Sequence, residues 1–211
     1  MPTPTRSRLS REQRMEQTLE TAHAMFAEKG YGAVTMDEIA AAVGVTKPLL
    51  YNYFGNKEQL FIACMEQSGE ALVEAISKAI AGAGNPSEAL GTGVRAFFAF
   101  LDSDRSAWAV LFDETLPQSG DVIERVSFYR RKLLEFIAVS TLARMPEPAR
   151  QSESARIEVE AVSTAMLGAA EALGRWWLAG SQMTASQAAD LLISTVEPGL
   201  SQRYSPIFDQ P

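Results

Sequence analysis

Thr35–Leu60 reads "TMDEIAAAVGVTKPLLYNYFGNKEQL". Thr35 is followed three residues later by Glu38, a pairing in which each side chain satisfies a backbone N–H that the first turn of a helix leaves orphaned. Gly44 stops that helix. Thr46 opens another, with Pro48 in its first turn, where the missing N–H costs nothing. Phe54-Gly55 ends it. Only "GVT" separates the two helices. A short helix, a three-residue turn and a second short helix is the spacing in which the second helix can lie in the major groove of DNA.

The second helix has two faces. Leu50 and Phe54 are four apart and share one face, expected to turn inward with Ile39, Val43 and Val45. Lys47 and Tyr51 share another and point out. Tyr53 lies at the edge of the buried face, where its ring packs and its hydroxyl reaches a phosphate on the groove wall. Lys57 stands in the first turn of the next helix, where the dipole disfavours a cation. A DNA phosphate docked at that helix end accounts for it.

Outward from this stretch the chain reads as all-α, with about nine helices and no period-2 strand segment. The expected helices run Ser10–Glu28, Thr35–Val43, Thr46 to about Gly55, Asn56–Ile80, Pro86–Leu101, Arg105–Leu116, Asp121–Met145, Ser152–Ala179 and Thr184–Val196. Capping pairs mark Ser10…Gln13, Asn56…Gln59, Asn85…Glu88 and Thr184…Gln187, with Pro86 at a first helical position. "GAGNP", "MPEP" and "EPG" are breaks. The expected domains are a reading module at 10–58, a helical body at 59–205 and a flexible basic arm at 1–9.

The 211 residues, 46% of them hydrophobic, suffice for one or two cores. One Cys (Cys64) and one His (His23) leave no disulfide framework, no clustered metal ligands and no evident catalytic triad. Neither an enzyme, a bound metal nor a cofactor is expected. No apolar leader or membrane span is seen. These features point to the cytoplasm. Net charge is −7, but residues 1–60 balance seven cations against seven anions, so the deficit lies in the body. Arg6, Arg8 and Arg11 form either a solvated tail or an arm along DNA. His23 is expected to be a partly exposed helix residue and Cys64 a packed small hydrophobe.

"FAEKGYGAVT" at 26–35 followed by "TMDEIAAAVGVTKPLLYNYFGNKEQLF" resembles the DNA-binding module of the TetR family of transcriptional regulators. The resemblance is dense from Arg11 to Phe61. Beyond it, only helix number and order are similar. It implies a two-fold homodimer, each module in a major groove of a pseudo-palindromic operator, and a small effector in the body that weakens DNA binding. Thr35, Thr46, Tyr51, Tyr53 and Lys57 match family positions that contact phosphates. Lys47, Pro48 and Leu49 match those facing base edges. Lys47 then reaches guanine O6/N7, and Pro48 or Leu49 a thymine methyl. Met36 and Asp37 stand where some members carry a DNA-contacting cation.

In the body the resemblance implies an apolar effector pocket, for which Phe97, Trp108, Phe112, Tyr129, Met166 and Trp177 are the candidates. Asp113, Glu114 and Glu171 suit a cationic effector, or simply a solvated face. The helix at 152–179 carries two apolar stripes. Ala161, Ala165, Gly168 and Ala172 form one, taken as the dimer interface. Val159, Val162, Met166, Ala169, Leu173 and Trp176 form the other. The sequence leaves open which stripe meets which neighbour. The expected function is a repressor released from its operator by a small, largely apolar effector. The rivals are an activator, a regulator controlled by a protein partner, and a helical ligand-binding protein without DNA function.

Overall fold

A computed structural model describes residues 10–85, 88–112, 116 and 120–204, save the side chains of 148 and 149. Among these residues the chain is helical throughout. The helices are α1 (Arg11–Lys29), α2 (Met36–Val43), α3 (Lys47–Phe54), α4 (Lys57–Ala81), α5 (Ala89–Ser103), α6 (Ala107–Leu111), α7 (Asp121–Leu142), α8 (Glu147–Arg150), α9 (Glu153–Leu178) and α10 (Ala185–Tyr204). The nine expected helices are present, and α8 is an added single turn within the "MPEP" break.

Capping fixes several of the starts. Ser10 and Gln13 close a reciprocal pair at α1, and Thr35 and Glu38 do so at α2. At α10, Thr184 Oγ1 accepts from Gln187 N–H while Gln187 accepts from Thr184 N–H. Asn56 accepts from Gln59 N–H at 2.8 Å, but the Gln59 amide turns to Asp121. Pro86 and the arm at 1–9 lie outside the described residues.

Two compact units emerge. The first runs through Ser68 and includes Ser106–Arg125; the second holds Gly69–Arg105 and the chain from Val126 on. The expected division at 58/59 therefore differs from the packing, which also places Asp121–Arg125 at the start of α7 in the first unit. α4 gives Lys57–Ser68 to the first unit and Gly69–Ala81 to the second, and α6 folds with the first unit, against α1.

In the first unit Phe26, Ile39, Leu50, Leu60, Phe61 and Met65 are fully buried. Phe61 meets the Phe26 and Tyr31 rings edge-on at 4.9 and 4.8 Å. In the second, a cluster of Leu90, Met145, Val159, Met166, Leu200 and Tyr204 ties α5, α9 and α10 together.

The ends of two elements depart from the sequence reading for a visible physical reason. α6 ends at Leu111, because Phe112 already leaves helical geometry at φ −131° and ψ 0°. α10 does not stop at "EPG" but continues through Pro198 to Tyr204. The lost backbone hydrogen bond is outweighed by tertiary contacts on both sides of it: Arg144 holds Glu197 just before the proline with two parallel hydrogen bonds, and Leu200 and Tyr204 beyond it are buried in the cluster above.

Candidate nucleic-acid interface and apolar cavity

α3 has no room to turn. Leu50 is fully buried beneath it, and with Ile39 and Val43 of α2 it anchors the helix by one face. Val45 and Phe54 are half-buried at the margin. The opposite face, with Lys47, Pro48 and Tyr51, is exposed, and Leu49 is half-exposed. Thr46 makes no side-chain capping bond, so its hydroxyl stays available at the helix start. Gly44, in the left-handed region at φ 76° and ψ 34°, makes the turn that redirects the chain from α2 to α3.

The charges on this surface are paired. Lys47 Nζ lies 2.8 Å from Asp37 Oδ1 and 3.1 Å from Oδ2, and stands 5.9 Å from the centre of the Tyr51 ring. The Asp37 carboxylate pushes the Lys47 pKa up, so the amine stays charged. Arg11 of α1 stands over the Tyr53 ring at 5.6 Å.

Lys57 is more engaged than its position suggested. Its ammonium donates to the carbonyls of Tyr31 and Val34, both at 3.0 Å, and lies 4.4 Å from the Tyr31 ring centre. It thereby fixes the loop that leads into α2. The two carbonyls account for a cation at this helix start. Thr35 Oγ1 is likewise engaged, accepting from Glu38 N–H and donating to the Glu38 carboxylate at 2.8 Å. Met36 is only 5% exposed and packs inward, which leaves it no surface to offer a groove.

His23 has a placement that periodicity did not suggest. Its Nε2 is 2.9 Å from Ser68 Oγ on α4, and its Nδ1 is 3.0 Å from Ser106 Oγ at the start of α6. Cys64 is buried as expected. Burial pushes its thiol pKa up to about 12, so no thiolate forms near neutrality.

The second unit holds an apolar cavity of about 50 Å³, lined by Ile76, Leu90, Val94, Phe97, Leu133 and Phe136 among others. Of the six candidate pocket residues only Phe97 lines it. Trp108 and Phe112 stack at 4.9 Å in the first unit. Met166 belongs to the α5–α9–α10 cluster. Trp177 is buried, with its Nε1 donating to Met183 O at 2.8 Å. The Tyr129 ring lies against the backbone of Gly69, where a Cβ would stand 2.4 Å from it. The cavity wall is mostly aliphatic, a pattern indistinguishable from core by composition. Asp113 and Glu114 lie outside the described residues. Glu171 is buried beside Arg130, Oε2 to Nη2 at 3.0 Å. Burial raises its pKa above the ordinary carboxylate value more than Arg130 lowers it.

On α9 the two stripes separate. Ala161, Ala165, Gly168 and Ala172 are all exposed, and the line is extended by Ile157, 61% exposed, and by Trp176, which the sequence reading places in the other stripe but which is 55% exposed and follows Ala172 by one turn. Val159 and Met166 point inward.

Among the described residues no group of three His, Cys, Asp or Glu is placed to hold a metal ion, and no helix is long and apolar enough to cross a membrane.

Comparison with known proteins agrees with this geometry. Residues 19–64 match the N-terminal domain of bacterial regulatory proteins of the tetR family, and residues 86–197 a tetracyclin repressor-like C-terminal domain. The chain is 35% identical over 120 residues to the HTH-type transcriptional activator FasR of Mycolicibacterium smegmatis, covering 57% of this chain and 55% of that protein. It spans about half the length of the first curated relatives it matches. A TetR-like transcriptional regulator from Rhodococcus sp. RHA1 superposes with a TM-score of 0.76 at 32% identity, over 92% of this chain and 99% of that one. AibR, solved with isovaleryl coenzyme A and operator DNA, shares the fold at a TM-score of 0.69 and 22% identity, over 92% of this chain and all of that one.

Proposed function

Because this chain belongs to the tetR family of bacterial regulatory proteins, we propose that it is a cytoplasmic, homodimeric transcriptional repressor that a small apolar effector releases from a pseudo-palindromic operator. The observation that carries the reading is α3, held by buried Leu50 with Lys47, Pro48 and Tyr51 exposed along one side. In this role Lys47 addresses a guanine edge, and Pro48 and Leu49 a thymine methyl. Thr46, Tyr51 and Tyr53 take phosphates, and Thr35 backs them through the start of α2. Lys57 positions the α1–α2 loop and turns its remaining N–H to the backbone. Met36 serves by packing.

The exposed line from Ile157 through Ala161, Ala165, Gly168 and Ala172 to Trp176 supports pairing of two copies. Small side chains permit close approach, and an exposed apolar face of this length is unfavourable in a lone chain. The effector site is the apolar cavity of the second unit. Ile76 and Ile80 of α4 line it, and α4 runs from the first unit, which holds Lys57–Ser68, into the second. At 1.5 Å per residue it is roughly 37 Å long. A ligand that moves the end bearing Ile76 and Ile80 moves the end bearing Lys57. It shifts the equilibrium only if it binds the DNA-incompetent state more tightly.

Selection of bound sequences from random DNA by the purified protein tests this reading. Enrichment of a symmetric pair of half-sites, about one helical turn apart or a multiple of it, is expected. Recovery of no preferred sequence would end it. Activation is the second reading, because FasR, the 35% identical relative, is named an activator. Reporter transcription rising, not falling, with the protein present distinguishes the two.

A further inference from the structure

We propose that the ligand of the second unit carries a single aliphatic chain, alkyl or acyl, whose last carbons enter the cavity while its polar head stays in an adjoining cleft. The inference rests on the effector reading for its biological role but not for the binding itself.

The cavity has little to offer a polar ligand. Its wall is built from Ile76, Ile80, Leu90, Val94, Leu133 and Leu167, with Phe97 and Phe136 the only aromatic rings. Ser140 is the only polar side chain in the lining, and its hydroxyl already donates to Phe136 O at 2.8 Å. No charged side chain lines it. A polar group brought here would lose its water and gain no partner. Size then discriminates among apolar groups. An engineered apolar cavity of ~150 Å³ takes benzene, and this one, at about 50 Å³, is too small for a ring. A methyl end and a short run of methylenes remain.

The rest of the ligand has a place to go. An open cleft of about 510 Å³ shares Ile80, Ala89, Phe136 and Ser140 with the cavity, so the two adjoin. Ala83, Val139 and Ala143 continue the apolar surface outward, and Val139 is 68% exposed in the cleft wall. Asn85 and the Glu135 carboxylate, which accepts from Lys132 Nζ at 3.1 Å, stand in the same lining. Apolar interior, apolar floor and polar wall in succession suit a tail followed by a hydrated head. A free acid and a coenzyme A thioester share this chain chemistry and differ only in the head.

Gly93 provides a ruler. A Cβ there would sit 3.4 Å from Ile80 Cδ1 and 3.8 Å from Ile76 Cγ2, ordinary contacts directed at the cavity. Gly93→Ala therefore narrows the cavity without a clash, and alanine is the better helix former.

The test is calorimetric titration of the full-length protein with two series of straight-chain compounds, alkanoates and acyl-coenzyme A thioesters from hexanoyl to tetradecanoyl. Naphthalene serves as a ring control. Affinity should rise about fourfold for each methylene added, the equivalent of ~0.8 kcal/mol, up to a limiting length. Gly93→Ala should melt no lower than wild type and shorten that limit by about one carbon, and Phe97→Ala should lengthen it. A ladder in one series alone identifies the head, and a ladder in both means that the chain alone is read. The proposal is overturned if neither series binds, if affinity ignores chain length, if naphthalene binds as well as the best chain, or if folded Gly93→Ala keeps the wild-type limit. A full ladder with no change in operator binding would instead remove the effector reading and leave this one standing.

Discussion

Lys47 and Lys57 are both lysines of the reading module, and their surroundings give them different tasks. Lys47 is exposed and ion-paired with Asp37, a pair of small net value in water. Lys47→Ala should relax specificity at one or two base pairs by about 1–3 kcal/mol each. Asp37→Asn should do something else. With its carboxylate partner gone, Lys47 meets any phosphate, so non-specific binding should tighten at low salt and its salt slope steepen by about 1, while the ratio of specific to non-specific affinity falls. Binding to random DNA across a salt series measures this; unchanged slopes would mean that the pair stays closed on DNA. Lys57 bridges two carbonyls of the α1–α2 loop. Lys57→Ala should lower stability by about 1.5–3 kcal/mol and reduce the salt slope by about 1, evenly over all sequences. A slope that stays fixed while the melting point falls would confine Lys57 to positioning. Glu171 offers a pH test. Its folded pKa is raised, chiefly by burial, so the folded chain holds that proton more tightly than the unfolded one. Its favourable contribution is present below the ordinary carboxylate range and is lost as pH rises through the folded value. Glu171→Gln should therefore raise the melting temperature more at pH 8 than at pH 4. A loss at pH 8 would show that the Arg130 pair outweighs burial.

At the scale of elements, α4 and α7 meet closely at one point. The Tyr129 ring of α7 occupies the space where a side chain on Gly69 of α4 would be, 2.4 to 2.6 Å from an ideal Cβ. Tyr129 is 6% exposed, so its ring has little room to withdraw. Gly69→Ala should cost about 1–3 kcal/mol despite its gain in helix propensity. Gly69→Ala combined with Tyr129→Leu should recover part of that loss, because the ring is the obstacle. Chemical denaturation of the four proteins in this cycle decides it, and strictly additive losses would place the strain elsewhere. α10 makes a complementary point. It crosses Pro198 because Leu200 and Tyr204 find a core beyond the proline.

For the whole molecule the question is what the exposed face of α9 meets. A side chain on Gly168 has nothing within 4 Å in the single chain, so Gly168→Arg is not expected to disturb the fold. If two copies pair through this line, the variant should sediment as a monomer and lose operator binding while keeping its melting profile above the dimer contribution. A stable dimer in sedimentation would move the interface off the Ala161–Ala172 stripe. The same experiment separates reading from pairing, since one module retains only its non-specific affinity.

Local chemistry determined the helices and the reading module. Thr35 with Glu38, Gly44, Pro48 and Gly55 act within a turn of themselves, so their effect on the backbone could be read from spacing alone. The inward set of Ile39, Val43 and Leu50 followed from a 3.6-residue period. Burial does not follow from local order. Met36 was expected at the surface and packs inside, and Pro198 was expected to end α10 and does not. Composition picked out aromatic rings for the pocket, whereas aliphatic residues of four helices line the cavity and Trp108 and Phe112 fold with the other unit. His23 reaches Ser68 and Ser106, 45 and 83 residues away, through hydrogen bonds that no pattern announces. Both stripes of α9 were apolar in sequence, and packing decided that the small-residue one, together with Trp176, remained exposed while Val159 and Met166 turned inward. A cavity is the space left between distant side chains. It exists only once the helices are packed.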